Sequence, residues 1–287
     1  MISCSANNAS GDEEEKPKSV ELAEDDPKAN KKDFVVTIKT SFGDMHAILY
    51  DQTPVHKENF IKLAKEGRFD STTFHRVINE FMIQGGDIDA KEGVFPPSTN
   101  TLPAEFDSSR FHKKGALAAA RQDESINPEM ASSWCQFYIV QGKKYTEEEL
   151  TIDMAALNQA VGQYIQKTNN RELGLELQEL YQQRKFEDFQ NRLISLKPIC
   201  EQELGISLSK EIPAKRMQAY TTIGGVPHLD DTYTVFGEVI DGIDIVDKIA
   251  EQRTSRGDKP VEDIFLTVEV QEMTRRKIAK RFGYVYP

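Results

Sequence analysis

One arginine among large apolar side chains is the feature of this sequence whose chemistry is easiest to state. Arg76 lies two positions after Phe74, and the next eight positions add Phe81, Met82 and Gln84. An arginine stays charged at any working pH and holds five N–H donors in a fixed fork. Burying that charge beside apolar groups is costly unless the donors have partners. The pattern predicts a preorganised donor at the edge of an apolar pocket; two strands with an ion-paired arginine between them remain the alternative.

The sequence lacks several common motifs of other kinds of catalysis. It has no glycine-rich phosphate loop ending in lysine, no Gly-x-Ser-x-Gly and no His-Glu-x-x-His. Cys4, Cys135 and Cys200 are too few and too scattered for a disulfide framework or a zinc site. We therefore expect no cofactor and no bound metal.

Four of the five histidines do not form a set of metal ligands: His46, His56, His75 and His112. We expect His75 to make a structural hydrogen bond behind Arg76. We expect His46, His56 and His112 to be isolated and exposed.

Composition narrows the classes of partner. The 287 residues carry a net charge of −11, with 38% hydrophobic and 29% charged residues. A negative chain is poorly suited to nucleic acid, because binding phosphates needs a basic surface. No run of eighteen apolar residues occurs, so we expect no helix of this chain to span a membrane. The length suits one large domain, or a domain with an appendage.

The elements around Arg76 read as two hairpins and a helix. Residues 34–39 and 45–50 are rich in β-branched and aromatic types, with turn residues between them. Thr53 and Pro54 then predict the start of a helix. Residues 74–87 form a second predicted hairpin, which carries Arg76. Residues 115–120 are rich in small residues, and their propensity would also allow a helix.

Four stretches in this order resemble motifs of the cyclophilins, the peptidyl-prolyl cis-trans isomerases with an eight-stranded β-barrel. They are residues 40–60, 74–87, 133–139 and 228–239. The resemblance covers residues 33–142 and 217–272. It implies a mainly β fold, a closed eight-stranded antiparallel barrel capped by two helices. The segment 115–120 would then be a strand and loop along the binding groove.

The resemblance also implies roles for individual residues. Arg76 would be the catalytic donor, and Gln84 would position its guanidinium and the substrate carbonyl. Phe81 and Met82 would form walls of the proline pocket. The other expected substrate-binding residues complete the pocket, line the groove or close its rim: Ala120, Arg121, Gln136, Tyr138, His228, Leu229 and Tyr233.

Several of these positions depart from the family pattern. Tyr138 stands where the family has phenylalanine, and its added hydroxyl must find a partner. His228 replaces a common tryptophan, Tyr233 replaces a histidine, and Arg121 replaces an asparagine. We expect these changes to alter substrate preference more than catalysis.

The implied function is acceleration of X-Pro bond rotation in unfolded or extended protein segments, as a folding helper without a cofactor. Its partners would be proline-containing polypeptides, and not nucleic acid. The alternative is a non-catalytic module that binds proline-containing peptides or recruits a partner through its helical insertion.

That insertion is residues 143–216, where cyclophilins have a short connection. Thr146 and Glu149 fit a capping box, and Leu150, Leu157 and Val161 recur at helical spacing. We expect an inserted α-helical subdomain, with a third helix from 186 to 204 that Pro198 could break. Two interpretations remain open: a structural helical hairpin that packs on itself and on the barrel, or a subdomain that binds a partner or guides the substrate.

The two ends of the chain read as tails. Residues 1–32 are acidic and poor in apolar side chains, which predicts a disordered segment. Residues 273–287 form a predicted basic tail. The context of Cys4 resembles the end of a bacterial lipoprotein signal, although the charged start and apolar core of a signal peptide are missing from it. We expect a lipid-anchored protein of the cell envelope or periplasm, with membrane attachment through Cys4 alone; the alternative is a cytoplasmic protein.

Overall fold

Eight strands close into an antiparallel barrel in the computed structural model, which describes residues 27–95 and 99–286. The described strands are β1 (Lys32–Thr40), β2 (Gly43–Leu49), β3 (Thr72–Ile78), β4 (Met82–Gly85), β5 (Thr101–Leu102), β6 (Ala116–Ala119), β7 (Ser132–Ser133), β8 (Phe137–Val140), β9 (Val235–Asp241) and β10 (Phe265–Thr274). The order around the barrel is β1-β10-β3-β4-β8-β6-β9-β2, and β5 pairs separately with β7. This confirms the predicted barrel.

Helices cap the barrel and build the insertion. In chain order they are α1 (Pro54–Lys65), α2 (Ile88–Lys91), α3 (Glu147–Thr151), α4 (Met154–Thr168), α5 (Arg171–Gln182), α6 (Phe186–Leu204), α7 (Ala214–Thr222), α8 (Ile243–Ala250) and α9 (Arg275–Phe282). The apolar faces of α1 and α8 join the barrel interior in one buried cluster, which includes Phe60, Leu63, Val246 and Ile249. These two helices are the predicted caps.

The start of α1 is held by a distant carboxylate. Thr53 precedes the helix, but its side chain makes no capping hydrogen bond. Instead the carboxylate of Glu105 accepts hydrogen bonds from the backbone N–H groups of Val55 and His56, both at 3.0 Å. It also lies 2.6 Å from Nδ1 of His56, whose side chain is buried. The expectation that His56 is isolated and exposed is therefore wrong.

The small-residue segment 115–120 is a strand. Ala116–Ala119 form β6, which pairs with β8 on one side and β9 on the other. All four residues are buried. Strand pairing decides the local structure against the helix propensity of alanine.

The insertion has an apolar core of its own. The capping box at Thr146 is confirmed, with reciprocal hydrogen bonds between Thr146 and Glu149. Helices α4, α5 and α6 pack around a cluster whose buried members all lie between Ile152 and Leu208. Helix α6 runs through Pro198 without a break. The last helix of the insertion, α7, continues past residue 216, the predicted end of the insertion. It ends at Thr222, so the helical insertion is longer than predicted.

Both predicted tails are shorter than expected where the structure describes them. Pro27–Asn30 form a 3-10 helix in which Ala29 is buried, and Lys32 already belongs to β1. At the other end, β10 continues to Thr274 and α9 follows it. Ile278 of α9 is buried against the outer face of the barrel, because this basic helix is amphipathic. Residues 1–26, with Cys4, lie outside the described part of the chain.

Within residues 27–95 and 99–286, no helix combines the length and the apolar character that crossing a bilayer requires. In the same ranges, no group of three or more histidine, cysteine or acidic side chains has the arrangement of a metal site. Cys135 and Cys200 are both buried free thiols.

Candidate active site

Strand register brings the key polar side chains to the outer face of the barrel. Arg76 of β3 pairs with Gln84 of β4, and Gln84 pairs with Tyr138 of β8. Side chains alternate along a strand, so the neighbours Val77 and Ile83 point into the barrel core.

Most of the predicted site residues surround one pocket of about 200 Å³. The residues that line it are Arg76, Phe81, Met82, Gln84, Ala120, Arg121, Tyr138, Leu229 and Tyr233. The two remaining predicted residues adjoin it. Oε1 of Gln136 accepts a hydrogen bond of 3.0 Å from Nε2 of Gln84, and the His228 ring stacks on Phe81 with 5.7 Å between centroids. The structure thus brings together all the predicted catalytic and substrate-binding residues, whereas the lipidation candidate Cys4 lies outside the described part of the chain.

Arg76 is more exposed than its sequence context suggests. Its side chain is 42% exposed, and Nε lies 3.5 Å from a carboxylate oxygen of Asp258. Nη1 donates to Oε1 of Gln84 at 3.5 Å. Both alternatives from the sequence are therefore present, since the arginine is ion-paired and also lines an apolar pocket. Asp258 lies far along the chain from Arg76, and no sequence motif points to it.

Arg121 is held tightly at the rim of the pocket. Its guanidinium lies 4.2 Å from the Tyr233 ring centroid, and its Nε donates to the backbone oxygen of Thr232 at 2.8 Å. Nη2 donates to Glu124 at 2.9 Å. The side chain is only 4% exposed, so its donors serve the protein and it fixes the position of Tyr233.

The hydroxyl of Tyr138 finds its partner in a buried histidine. Nε2 of His112 lies 2.9 Å from the hydroxyl oxygen, and Nδ1 lies 3.0 Å from Oδ1 of Asp230. The expectation that His112 is isolated and exposed is wrong, since its side chain is fully buried. Burial raises the pKa of Tyr138 well above 10, so the hydroxyl keeps its proton.

His228 closes the pocket as a neutral ring. Partial burial lowers its pKa from the ordinary value of 6.5. The imidazole stacks on Phe81 and extends that wall of the pocket. His46, the last of the three histidines expected to be isolated, contacts Thr37 at 3.1 Å and the Phe282 ring at 5.0 Å.

A closed barrel that carries an arginine, a glutamine and an apolar pocket on its outer face defines a cyclophilin-type site. Residues 35–161 and 181–270 match the family model described as cyclophilin type peptidyl-prolyl cis-trans isomerase/CLD. The chain belongs to this family of peptidyl-prolyl isomerases. Its members catalyse cis-trans isomerisation of peptidyl-prolyl bonds.

Similar proteins named as isomerases include bacterial ones. A Staphylococcus epidermidis protein named as a peptidyl-prolyl cis-trans isomerase is 30% identical over 256 residues, which are 86% of this chain and 98% of that protein. A Streptococcus pyogenes protein named as a bifunctional phosphatase/peptidyl-prolyl cis-trans isomerase is 32% identical over 82% of this chain, which spans only 38% of that longer protein. A crystal structure of a cyclophilin type isomerase from Cryptosporidium parvum is 17% identical, covers 84% of this chain and 98% of its own, and has a TM-score of 0.49.

Proposed function

We propose that this protein accelerates rotation about X-Pro bonds in unfolded or extended polypeptides and acts as a folding helper. The pocket of about 200 Å³ would hold the proline ring, and Arg76 would supply the catalytic donor. One observation carries the proposal: the Arg76 guanidinium and the apolar side chains of Phe81 and Met82 line the same pocket.

The chemistry requires only electrostatics and an apolar site. Rotation about an X-Pro bond breaks amide resonance, with a barrier of about 18–20 kcal/mol. In the twisted transition state the nitrogen regains its lone pair and the carbonyl loses negative charge. A fixed donor near the nitrogen stabilises that state, and an apolar pocket removes the water that stabilises the planar amide. No nucleophile or proton transfer is needed.

A chain of side-chain hydrogen bonds supports the donor. Oε1 of Gln84 accepts from Arg76 at 3.5 Å, and Nε2 of Gln84 donates to Gln136 at 3.0 Å. Because both ends of the Gln84 amide are engaged, its oxygen faces the guanidinium. A donor held in advance costs little reorganisation when the substrate twists.

Replacing the guanidinium tests this proposal. We expect Arg76→Ala to lower kcat/KM toward an Ala-Pro peptide by about 100-fold or more, the range seen when a transition-state donor is removed. Arg76→Lys is the matched control: it keeps the charge but loses the fork, and we expect intermediate activity. Protease-coupled peptide assays measure both, and refolding of a protein limited by X-Pro isomerisation tests the folding role. Activity like that of the wild type in Arg76→Ala would contradict the mechanism.

A second candidate function is recruitment of a protein partner by the insertion. The observation that favours it is the separate apolar core between Ile152 and Leu208, which shares no member with the barrel cluster. Tyr181 and Phe186 are also exposed where α5 meets α6. A barrel that only catalyses isomerisation has no need of this subdomain.

A deletion separates the two candidate functions. The backbone N–H of Lys210 donates to the oxygen of Thr151 at 2.7 Å, so residues 152–209 can be replaced by Gly-Gly with little movement of the ends. We expect the shortened protein to keep at least half of the wild-type kcat/KM toward short peptides. Loss of a cellular partner in crosslinking of the shortened protein would assign recruitment to the insertion. Loss of peptide activity in a folded deletion protein would contradict the separation.

The lipid-anchored location predicted from the context of Cys4 remains a proposal. It predicts an in-frame charged and apolar extension encoded upstream of Met1, and incorporation of a labelled fatty acid that Cys4→Ser abolishes. Labelling that persists in Cys4→Ser would contradict it.

A further inference from the structure

A line of buried polar side chains connects the pocket to the insertion. It begins at the Tyr138 hydroxyl, 2.9 Å from Nε2 of His112. Oδ1 of Asp230 lies 3.0 Å from Nδ1 of His112 and accepts the backbone N–H of His112 at 2.9 Å. Oδ2 of Asp230 accepts from the Tyr220 hydroxyl at 2.6 Å. We call these four side chains the polar relay.

The polar relay is buried along its whole length. Tyr138, His112 and Tyr220 are at most 4% exposed, and the Asp230 side chain is 7% exposed. Arg216 of α7 lies beside the carboxylate, with Nη1 3.4 Å from Oδ2, while its shorter ion pair is with Asp231 at 2.6 Å. Buried polar groups of this kind are tolerated when every member has a partner, and a satisfied network holds its members in one geometry.

The hydrogen bonds of the polar relay have a direction. A carboxylate only accepts, so Nδ1 of His112 carries the proton that faces Asp230. When Nδ1 alone carries a proton, Nε2 is an acceptor and the Tyr138 hydroxyl donates to it. The hydroxyl proton therefore points to the protein interior and away from the proline pocket.

This arrangement gives the Tyr138 hydroxyl a hydrogen-bond partner inside the protein, which a tyrosine in a proline pocket requires. A hydroxyl without a partner would be a buried polar group beside the substrate ring, and it would compete for the substrate carbonyl. The aromatic contacts extend the support: His112 stacks on Tyr138 at 6.0 Å and 12°, and Tyr233 meets both rings edge-on. A shift of His112 would therefore disturb two walls of the pocket.

We propose that His112 and Asp230 are positioning residues that hold Tyr138 at the pocket with its hydroxyl withdrawn from the substrate. Through Tyr220, helix α7 at the base of the insertion becomes part of this support. The proposal rests on the proposed function of the pocket and names what shapes its affinity for proline. A support of this kind acts on the ground state and the transition state alike, so its loss should raise KM more than it lowers kcat.

The test compares two replacements of His112 in two backgrounds. An asparagine amide reaches about as far as Nδ1, so His112→Asn keeps a donor for Asp230 and loses the acceptor for Tyr138. A glutamine reaches about as far as Nε2, so His112→Gln keeps an acceptor for Tyr138. We expect His112→Asn to raise KM about fivefold or more with kcat within about twofold, and His112→Gln to recover most of that change.

The second background isolates the hydroxyl. When His112→Asn is introduced into Tyr138→Phe, we expect KM to change by less than about twofold relative to Tyr138→Phe alone, because the hydroxyl that it served is gone. An equal rise of KM in both backgrounds would overturn the proposal. So would a loss of thermal stability in His112→Asn that leaves KM and kcat unchanged, because that result assigns a purely structural role.

Tyr220→Phe tests the link to α7 with a smaller change. It removes the donor to Asp230 and keeps the buried ring, so we expect KM to rise about two- to fivefold, again only when Tyr138 is present. A KM unchanged by Tyr220→Phe would overturn the part of the proposal that involves the insertion.

A spectroscopic measurement covers the case in which His112→Asn does not fold. In the wild-type protein, we expect the ¹⁵N shifts of His112 to show a protonated Nδ1 and an acceptor Nε2, with the Nε2 shift changed by Tyr138→Phe. The opposite tautomer would overturn the proposal. This readout does not depend on turnover, so a wild-type protein without isomerase activity would contradict the proposed function and leave the polar relay separately testable.

Discussion

At the scale of single residues, the site is defined by what occupies the donors of its two arginines. Arg121 donates hydrogen bonds to Thr232 and Glu124 and is almost fully buried, so it shapes the rim of the pocket. Arg76 is half-exposed and keeps one loose ion pair with Asp258 at 3.5 Å. Of the two guanidiniums, Arg76 is therefore the one that a substrate can reach.

The ion pair with Asp258 has a predicted kinetic effect. A carboxylate beside the guanidinium limits its range of positions and also competes with the substrate for its donors. The contact is exposed, so its free energy is small. We expect Asp258→Asn to change kcat/KM by about threefold or less, with a weaker salt dependence than in the wild type. Peptide assays from low to high salt measure this, and Asp263→Asn in the same loop is the control. A loss as large as that of Arg76→Ala would show that Asp258 takes part in catalysis directly.

At the scale of elements, contacts between distant segments hold the pieces that frame the site. The carboxylate of Glu105 caps α1 in place of Thr53, and the Tyr220 hydroxyl of α7 reaches Asp230. The insertion keeps its own core and meets the barrel through α3 and α7. The barrel side of that contact contains Phe111, which packs with Leu150 and Tyr220.

Removing the carboxylate of Glu105 should destabilise the barrel at α1. Two backbone N–H groups and His56 would lose their acceptor, and charge-assisted caps contribute about 1–2 kcal/mol. We expect Glu105→Ala to lower the free energy of unfolding by about 2 kcal/mol, measured by urea denaturation. Glu58→Ala, on the exposed face of the same helix, is the matched control, with an expected change within about 0.5 kcal/mol. Equal losses in the two variants would contradict a capping role for Glu105.

At the scale of the whole molecule, three histidines with lowered pKa values link stability to pH. Burial lowers the pKa of His56, His75 and His228 below the ordinary value of 6.5. The native state therefore resists protonation of these rings, whereas the unfolded chain accepts protons near pH 6.5. Their contribution to stability is present above that pH and is lost as the pH falls toward their native pKa values.

The linkage predicts a fall in stability in mildly acidic solution. Between pH 7 and pH 5 the unfolded chain binds more protons at these three positions, so the free energy of unfolding should decrease with falling pH. Most carboxylates titrate below this window. Urea denaturation across the window measures the fall, and NMR titration of the three rings assigns it. Stability that is constant or rises from pH 7 to pH 5 would contradict this account.

The family, the barrel and nearly every side chain of the pocket could be predicted from the amino-acid sequence. Arg76, Phe81, Met82 and Gln84 lie on one hairpin, and local register suffices to place such residues together. Residue propensities alone do not predict that β6 is a strand, because its pairing with β8 and β9 decides its conformation.

The groups from distant segments that complete the site became apparent only from the folded chain. His112 and Asp230 are 118 positions apart, and Asp258 and Glu105 act on residues in other segments of the chain. No periodicity or spacing encodes such pairs, because they form only when the closed barrel brings separate loops together. The same closure buried His112 and Ile278, which the sequence had suggested were exposed or in a tail. Burial is a property of the assembled surfaces, so a residue's type alone does not reveal it.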